Sequence, residues 1–339
     1  MKQVKFGNTG LKVSPIIVGC MSFGSKSWAD WVEDDKENAF GLLKYCYDHG
    51  LRTYDTADVY SNGASERLVG EFLRKYNIRR ETVVILSKTF FPTDESLDLV
   101  ATFKTTPQEE LDLVNQRGLS RKHIMAGVKN SVERLGTYID VLQIHRFDPY
   151  TPIKETMKAL NDVVDSGMAR YIGASSMLPT QFVEMQAVAE KHGWYQFVNM
   201  QSCYNLLYRE DERDLNVYCK KHNIALTPWS PTFKGVLTRP IGTHTFRYDN
   251  DKAINKWSIN NLAENEIEIV NRVEKLANKK GIPMATLSEA WVMHQGCLPI
   301  IGLTKTSRVG DAIRALDVDL TEEDVKYLEE PYVSRPFLY

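Results

Sequence analysis

Four residues in the first half of the chain can carry or steady a proton, and each stands at or just beyond a short apolar run. Asp55 closes Thr53-Tyr54-Asp55, and Tyr60 follows in the loop Thr56-Ala57-Asp58-Val59-Tyr60. Lys88 ends Val83-Val84-Ile85-Leu86-Ser87, and His145 ends Val141-Leu142-Gln143-Ile144. A carboxylate, a phenol, an ammonium and an imidazole at neighbouring strand ends are the parts of a proton-delivery site. Singly, each has a plainer use: packing for Tyr60, a solvated strand end for Lys88, a turn cap for Asp55, a structural hydrogen bond for His145. Their succession at strand ends favours chemistry. His222 and His294 fall in helical segments and read as structural.

The elements that must position these residues alternate along the chain. Strand-like runs are expected at 16–18, 53–55, 83–87, 141–145, 169–174, 197–201, 224–229 and 298–301. Amphipathic spacing predicts helices over 35–49, 65–76, 122–135, 153–166, 179–192, 215–222, 264–280, 285–295 and 308–316. Gly50 and Gly136 read as helix stops, and Ser65-Glu66-Arg67 as a helix start. Eight apolar strands separated by helices suit a parallel sheet buried on both faces. Closed, they make an α/β (β/α)8 TIM barrel, read as a single domain over residues 1–339. An open doubly wound sheet is the alternative, but Gly19-Cys20-Met21-Ser22-Phe23-Gly24 lacks the GxGxxG spacing that would hold a dinucleotide. Residues 4–13, with a turn at Gly7-Asn8, read as an N-terminal β-hairpin across the barrel bottom. The Thr89–Arg121 insert and the Thr232–Trp257 region read as long loops at the C-terminal face, lids or surface insertions.

Composition excludes several classes. The 339 residues are 43% hydrophobic and 25% charged with a net charge of −2, which gives no electrostatic case for nucleic acid or an anionic membrane. No apolar stretch approaches the ~18 residues of a membrane helix, and the start lacks a secretory h-region. Five widely spaced cysteines without a CxxC pair favour reduced thiols in the cytoplasm over disulfides or zinc. Metal ligands at strand ends are missing apart from His145, which argues against a metal-dependent barrel hydrolase.

The run Gly50-Leu51-Arg52-Thr53-Tyr54-Asp55-Thr56-Ala57-Asp58-Val59-Tyr60, continuing to Gly70, resembles the signature of the aldo-keto reductases. Lys88, His145, Ser175-Ser176, Gln201, Trp229-Ser230-Pro231 and Gly302 through Arg308 follow in that family's order. The resemblance covers nearly the whole chain. It implies a (β/α)8 barrel that binds NADP(H) without a Rossmann fold, and it assigns Asp55, Tyr60, Lys88 and His145 as the catalytic tetrad. The physical logic agrees. Tyrosine alone donates poorly, with a pKa of about 10. An ammonium ~4 Å away is worth roughly 4 kcal/mol at an effective dielectric of 20, so Lys88 is expected to bring Tyr60 nearer working pH, against the burial of the phenol. Asp55 would hold Lys88, and His145 would orient a carbonyl oxygen.

The resemblance also implies a cofactor-binding set. Ser175 and Gln201 would meet the nicotinamide carboxamide beside Ser176, where the family often has asparagine, and Trp229 would stack on the ring. Gly19, Cys20, Met21 and Asp55 would line the same site, and Ser230, Pro231, Lys234 and Gly235 would follow the pyrophosphate. Gly302, Thr304, Lys305, Ser307 and Arg308 would take the adenosine 2′-phosphate at a helix start. Asp311 matches a family acid near the adenine, but Ala312 stands where the family usually has asparagine.

The expected activity is reversible, NADPH-dependent reduction of aldehydes or ketones to alcohols. The small-molecule carbonyl substrate is expected to be aromatic, because the Trp-Ser-Pro and His-Arg-Phe-Asp-Pro segments look like the fungal aryl-alcohol dehydrogenase and potassium-channel beta-subunit branches. Phe23, Trp28, Trp31, Phe90 and Phe91 are the candidate walls. The second reading, an NADPH-binding regulatory subunit with little turnover, fits the same resemblance.

Overall fold

Eight strands pair side by side in parallel. They are β3 (Ile17–Gly19), β4 (Thr53–Asp55), β5 (Val84–Thr89), β6 (Ile139–Ile144), β7 (Ala169–Ser175), β8 (Phe197–Gln201), β9 (Ala225–Leu226) and β10 (Ile300–Ile301), with β10 beside β3. The computed structural model describes residues 1–101, 105–243 and 261–338. Leu298 N–H donates to the Leu226 carbonyl at 2.8 Å and Ile300 N–H to the Pro228 carbonyl at 2.9 Å, which joins the two ends of the sheet and closes the barrel. Register sets the chemistry-bearing ends level: Gly19 lies opposite Asp55, Lys88 opposite Gln143, and Ser175 opposite Gln201.

Helices α1 (Lys36–Asp48), α2 (Ala64–Lys75), α3 (Pro107–Leu113), α4 (Arg121–Leu135), α5 (Ile153–Asp165) and α6 (Pro179–His192) precede β8. After it come α7 (Leu215–Lys221), α8 (Glu264–Lys280), α9 (Met284–His294), α10 (Thr306–Arg314) and α11 (Glu322–Glu329). Their apolar faces and the outward faces of the strands form one continuous buried cluster. The hairpin β1 (Val4–Lys5) and β2 (Lys12–Val13) plugs the bottom. Phe6 and Val13 pack there on Leu86, Val141 and Ala225. Its turn residue Gly7 has φ +58°, and a Cβ there would meet the Asn223 carbonyl at 2.7 Å, so the plug fits only with glycine.

The helix expected over 65–76 begins at Gly63 and Ala64, without a side-chain cap. Ser65 lies inside it, and its hydroxyl donates instead to the Cys20 carbonyl at 2.9 Å, tying α2 to the end of β3. The runs expected at 224–229 and 298–301 are strand only at Ala225–Leu226 and Ile300–Ile301. Helix α3 lies inside the Thr89–Arg121 insert and α11 near the C-terminus, neither expected from the sequence. The Thr232–Trp257 region lies partly outside the described residues.

Gly70 sets the packing of α2 on α4. A Cβ there would stand 2.3 Å from the Leu135 carbonyl oxygen, a backbone atom that cannot swing away. Alanine adds up to about 1 kcal/mol of helix propensity, while overpacking costs about 1–3 kcal/mol. Gly70→Ala is therefore expected to lower the urea midpoint of unfolding, and a raised midpoint would show that the two helices separate freely.

Candidate active site

The four residues from β4, β5, β6 and the loop after β4 converge. Lys88 Nζ donates to Asp55 Oδ1 at 2.5 Å, to the Thr56 carbonyl at 2.9 Å and to the Tyr60 hydroxyl at 3.1 Å. Lys88 is 0% exposed. The His145 ring stands edge-on to the Tyr60 ring with centroids 5.8 Å apart. Its Nδ1 is buried with no hydrogen-bond partner.

Electrostatics follow from this packing. Burial opposes the Lys88 charge, but Asp55 and Tyr60 outweigh it and hold the ammonium above its ordinary value. Burial lifts the Tyr60 phenol above the usual tyrosine range, and Lys88 only partly offsets it. The sequence expectation had the balance the other way: the ammonium is in place, but desolvation is the larger effect. Burial, then the Arg146 and Lys88 charges, push His145 well down, so the ring is neutral.

A polar network inside the barrel holds Asp55 from the other side. Gln201 Nε2 donates to Asp55 Oδ2 at 2.8 Å and to Gln143 Oε1 at 2.8 Å, and Gln143 Nε2 reaches Asp55 Oδ2 at 3.2 Å. Asn199 Nδ2 fixes Gln143 Oε1 and Thr227 Oγ1, both at 2.9 Å. Gln143, Asn199 and Thr227 were not among the residues singled out from sequence. The signal was a lone polar residue inside an apolar strand, as in Val-Leu-Gln-Ile and Phe-Val-Asn-Met.

The remaining candidates lie along the rim from β7 round to β3. Ser175 Oγ donates to the Gln201 carbonyl at 2.8 Å, and Trp229 Nε1 donates to Ser176 Oγ at 3.0 Å, which fixes the indole plane. Ser176, Ser230, Phe233, Lys234 and Gly235 all have left-handed backbone, with φ from 46° to 92°. Pro231 is buried. Met21 is exposed at the mouth, whereas Cys20 is fully buried, with its thiol turned to the Val18 carbonyl. Gly302, Thr304, Lys305, Ser307 and Arg308 are exposed around the start of α10, and Asp311 is half-buried. No side chain caps that helix. Uncapped amides beside Lys305 and Arg308 fit the phosphates of a nucleotide.

Aromatic rings flank the tetrad. Trp28 lies 6.4 Å from Tyr60 and 6.0 Å from Trp31, and Phe91 lies 5.1 Å from both His145 and Phe90. Phe23, a candidate wall, is 1% exposed and belongs to the core. Among the described residues no group of His, Cys, Asp or Glu could hold a metal ion, and no helix is long and apolar enough to cross a membrane. All five cysteines are free and buried.

A closed parallel barrel carrying this site defines an oxidoreductase class: the chain belongs to the aldo/keto reductase family, whose sequence model matches residues 15–332. Members of that family generally use a nicotinamide cofactor. The chain is 62% identical over 332 residues to "Putative aryl-alcohol dehydrogenase AAD16" of Saccharomyces cerevisiae, covering 98% of this chain and 97% of that one. It is 47% identical to versiconal hemiacetal acetate reductase of Aspergillus parasiticus, over 99% of this chain and 98% of that one. It is 43% identical to aldo-keto reductase AMT2 of Alternaria alternata, over 98% and 92%.

Glu289 on α9 is buried within electrostatic reach of Asp311 and Arg308, and its Oε2 has no partner. Burial, then repulsion by Asp311, push its carboxyl up to about 8. The folded state thus keeps a proton that the unfolded chain releases near 4.5. The stabilisation is complete below pH ~4.5 and is lost as pH rises toward about 8. Glu289→Gln should flatten that alkaline decline in melting temperature. A variant whose stability falls as steeply as the wild type between pH 6 and 8 would contradict this assignment.

Proposed function

We propose that the protein is an NADPH-dependent reductase of aldehydes and ketones, aromatic ones among them, working reversibly and using the whole chain as one catalytic domain. The observation that carries this reading is the buried Lys88 ammonium bonded at once to Asp55 and Tyr60 beside a neutral His145. Free, buried thiols agree with a reducing cytoplasmic setting. The name of one relative, an aryl-alcohol dehydrogenase, together with Trp28, Trp31 and Phe91, favours aromatic substrates, and that of another, a hemiacetal acetate reductase, favours reduction.

A bound reduced nicotinamide nucleotide would supply the hydride. Tyr60, raised and therefore protonated at neutral pH, gives its hydroxyl proton to the carbonyl oxygen. Lys88 steadies the phenolate that results, and Asp55 keeps Lys88 aimed. Neutral His145 donates a hydrogen bond that orients the carbonyl. In the oxidative direction the Tyr60 phenolate takes the proton back. Trp229, tethered through its N–H, would present one ring face to a bound nicotinamide, and Lys305 with Arg308 would hold a 2′-phosphate.

Consumption of NADPH with a panel of aromatic aldehydes tests the activity directly. Tyr60→Phe is expected to lower turnover by roughly 10²–10⁴-fold while leaving NADPH binding, read by quenching of tryptophan fluorescence, near wild type. Undiminished turnover in that variant would remove Tyr60 as the donor. Replacing Lys305 and Arg308 together by alanine should weaken NADPH by about tenfold or more, two charge-assisted contacts being lost, and NADH little. Equal losses for both nucleotides would move the 2′-phosphate elsewhere.

A further inference from the structure

After α11 the chain runs back, over residues 330–338, to the loops that follow β8 and β9. A chain end frays unless it is tied down, and this one is tied at several points. The Tyr332 hydroxyl donates to Glu210 Oε1 at 2.6 Å and accepts from Arg209 N–H at 2.9 Å. Arg335 N–H donates to the same Glu210 oxygen at 2.8 Å, and Leu338 N–H donates to the Tyr208 hydroxyl at 3.2 Å. Glu210 is buried, so its carboxylate depends on such donors.

Seated there, the tail puts a cation against the loop after β9. The Arg335 guanidinium lies 5.2 Å from the centroid of the Phe233 ring, donates to the Leu207 carbonyl at 3.4 Å and pairs with Glu266 Oε1 on α8 at 3.0 Å. The two side chains of that pair are only 16% and 8% exposed. Desolvation offsets most of the attraction in a pair so deep, so its net gain in stability over two uncharged side chains is small. Glu266 is itself fixed, since its other oxygen accepts from Ala263 N–H at 2.8 Å at the start of α8.

Phe233 is a residue that needs holding. Phe233, Lys234 and Gly235 have consecutive left-handed backbone, with φ of 46°, 53° and 92°. In residues other than glycine that conformation is unfavourable and persists where contacts impose it. The ends of the loop are held from the barrel side: Asn205 Nδ2 donates to the Ser230 carbonyl and the Ser288 hydroxyl to the Leu237 carbonyl, both at 2.9 Å. Its middle carries the buried Phe233 ring, and the tail's guanidinium lies against that ring. Lys234 and Arg335 both lie within electrostatic reach of the Cys203 thiol, so the tail passes close behind the loop's own cation.

We propose that Arg335 is a positioning residue for the nucleotide: by holding Phe233 it presents Lys234 and Gly235 to the pyrophosphate, and the C-terminal tail thereby sets how long a nicotinamide nucleotide stays bound. The inference rests on the reading of residues 230–235 as the pyrophosphate contact. The pyrophosphate is common to NADPH and NADH, so loosening the loop weakens both alike, whereas loss of Lys305 and Arg308 falls on NADPH. In the proposed reaction the aldehyde meets Tyr60 and His145 and not this loop, so its KM stays where it is.

The test is the rate at which nucleotide leaves. Arg335→Met combined with Glu266→Gln removes both charges, leaves an unbranched chain beside Phe233 and keeps an oxygen for Ala263 N–H. Stopped-flow fluorescence should show NADPH dissociating about tenfold faster, the size of one desolvated cation–π contact. NADH should show the same factor, with the KM for benzaldehyde unchanged. Arg335→Lys keeps a cation for Phe233 and Glu266 and should recover most of the lost residence time, which a residue that only fills space would not do. Tyr332→Phe loosens the tail at Glu210 without touching Phe233 and should speed release about threefold, one hydrogen bond's worth. It decides the matter if melting curves show the double variant unfolded. Wild-type release rates in the folded variants overturn the proposal. So does a loss confined to NADPH, or a lysine that serves no better than methionine. A wild type that binds neither nucleotide removes the reading of the loop and this proposal with it, and that outcome is seen before any variant is compared.

Discussion

Burying an ammonium governs this structure. Removing a charge from water costs several kcal/mol even after relaxation, unless its partners are well placed. Lys88 has three N–H donors and all three are used, by Asp55, the Thr56 carbonyl and Tyr60. Asp55 passes the constraint on: one oxygen faces Lys88, and the other is held by Gln143 and Gln201. Gln143 is held in turn by Asn199, which also donates to Thr227. The chain of bonds crosses from β5 to β9 through the barrel interior. Its one member with a proton to give outward is the Tyr60 phenol. Asn199 Oδ1 is left without a partner at the far end of the network, while at the near end the bond to Lys88 holds the Tyr60 phenol in one place.

The rim is divided accordingly. The candidate proton-handling groups stand at the ends of β4, β5 and β6 and in the loop after β4, while the candidate nucleotide contacts run from β7 through β10 to β3. Since β10 pairs with β3 and β3 with β4, the two arcs meet. Four of the eight non-glycine residues with left-handed backbone among those described, Ser176, Ser230, Phe233 and Lys234, lie on the second arc. Such conformations cost of order 1 kcal/mol or more each and persist where surrounding contacts fix them. Asn205 supplies one such contact, donating to the Ser230 carbonyl at 2.9 Å.

Much of this arrangement was legible in the residues. Parallel strands buried on both faces leave apolar runs, and their ends are where polar residues must begin, so Asp55, Lys88 and His145 mark one end of the barrel as the candidate active face. What stayed hidden depends on three-dimensional surroundings. The direction in which Tyr60 is shifted turns on how deeply the phenol is buried, and nothing in Asp-Val-Tyr states that depth. Ser65 looks like a cap by type, yet its hydroxyl is drawn away by the Cys20 carbonyl. Gln143 and Asn199 read as isolated polar residues until the barrel brings their side chains together. Helices α3 and α11 are short, and their faces are too small for periodicity to single out.

The insert following Lys88 is the part whose role changes most between sequence and structure. By composition it reads equally as lid or surface insertion, but its described residues are fastened. Asn62, two residues after Tyr60, takes Asp94 N–H on its side-chain oxygen at 3.0 Å and donates to the Asp94 and Leu97 carbonyls at 2.8 and 2.9 Å. Arg67 on α2 pairs with Glu95, Ala101 N–H reaches the Trp28 carbonyl, and Gly118 N–H reaches the Phe90 carbonyl. Its contacts therefore fall on the loop that carries Tyr60 and on the aromatic residues beside it. A segment tied at those points is part of the wall around Tyr60, the proposed proton donor, and changes in its sequence act on the position of Tyr60 as well as on the shape of the cleft.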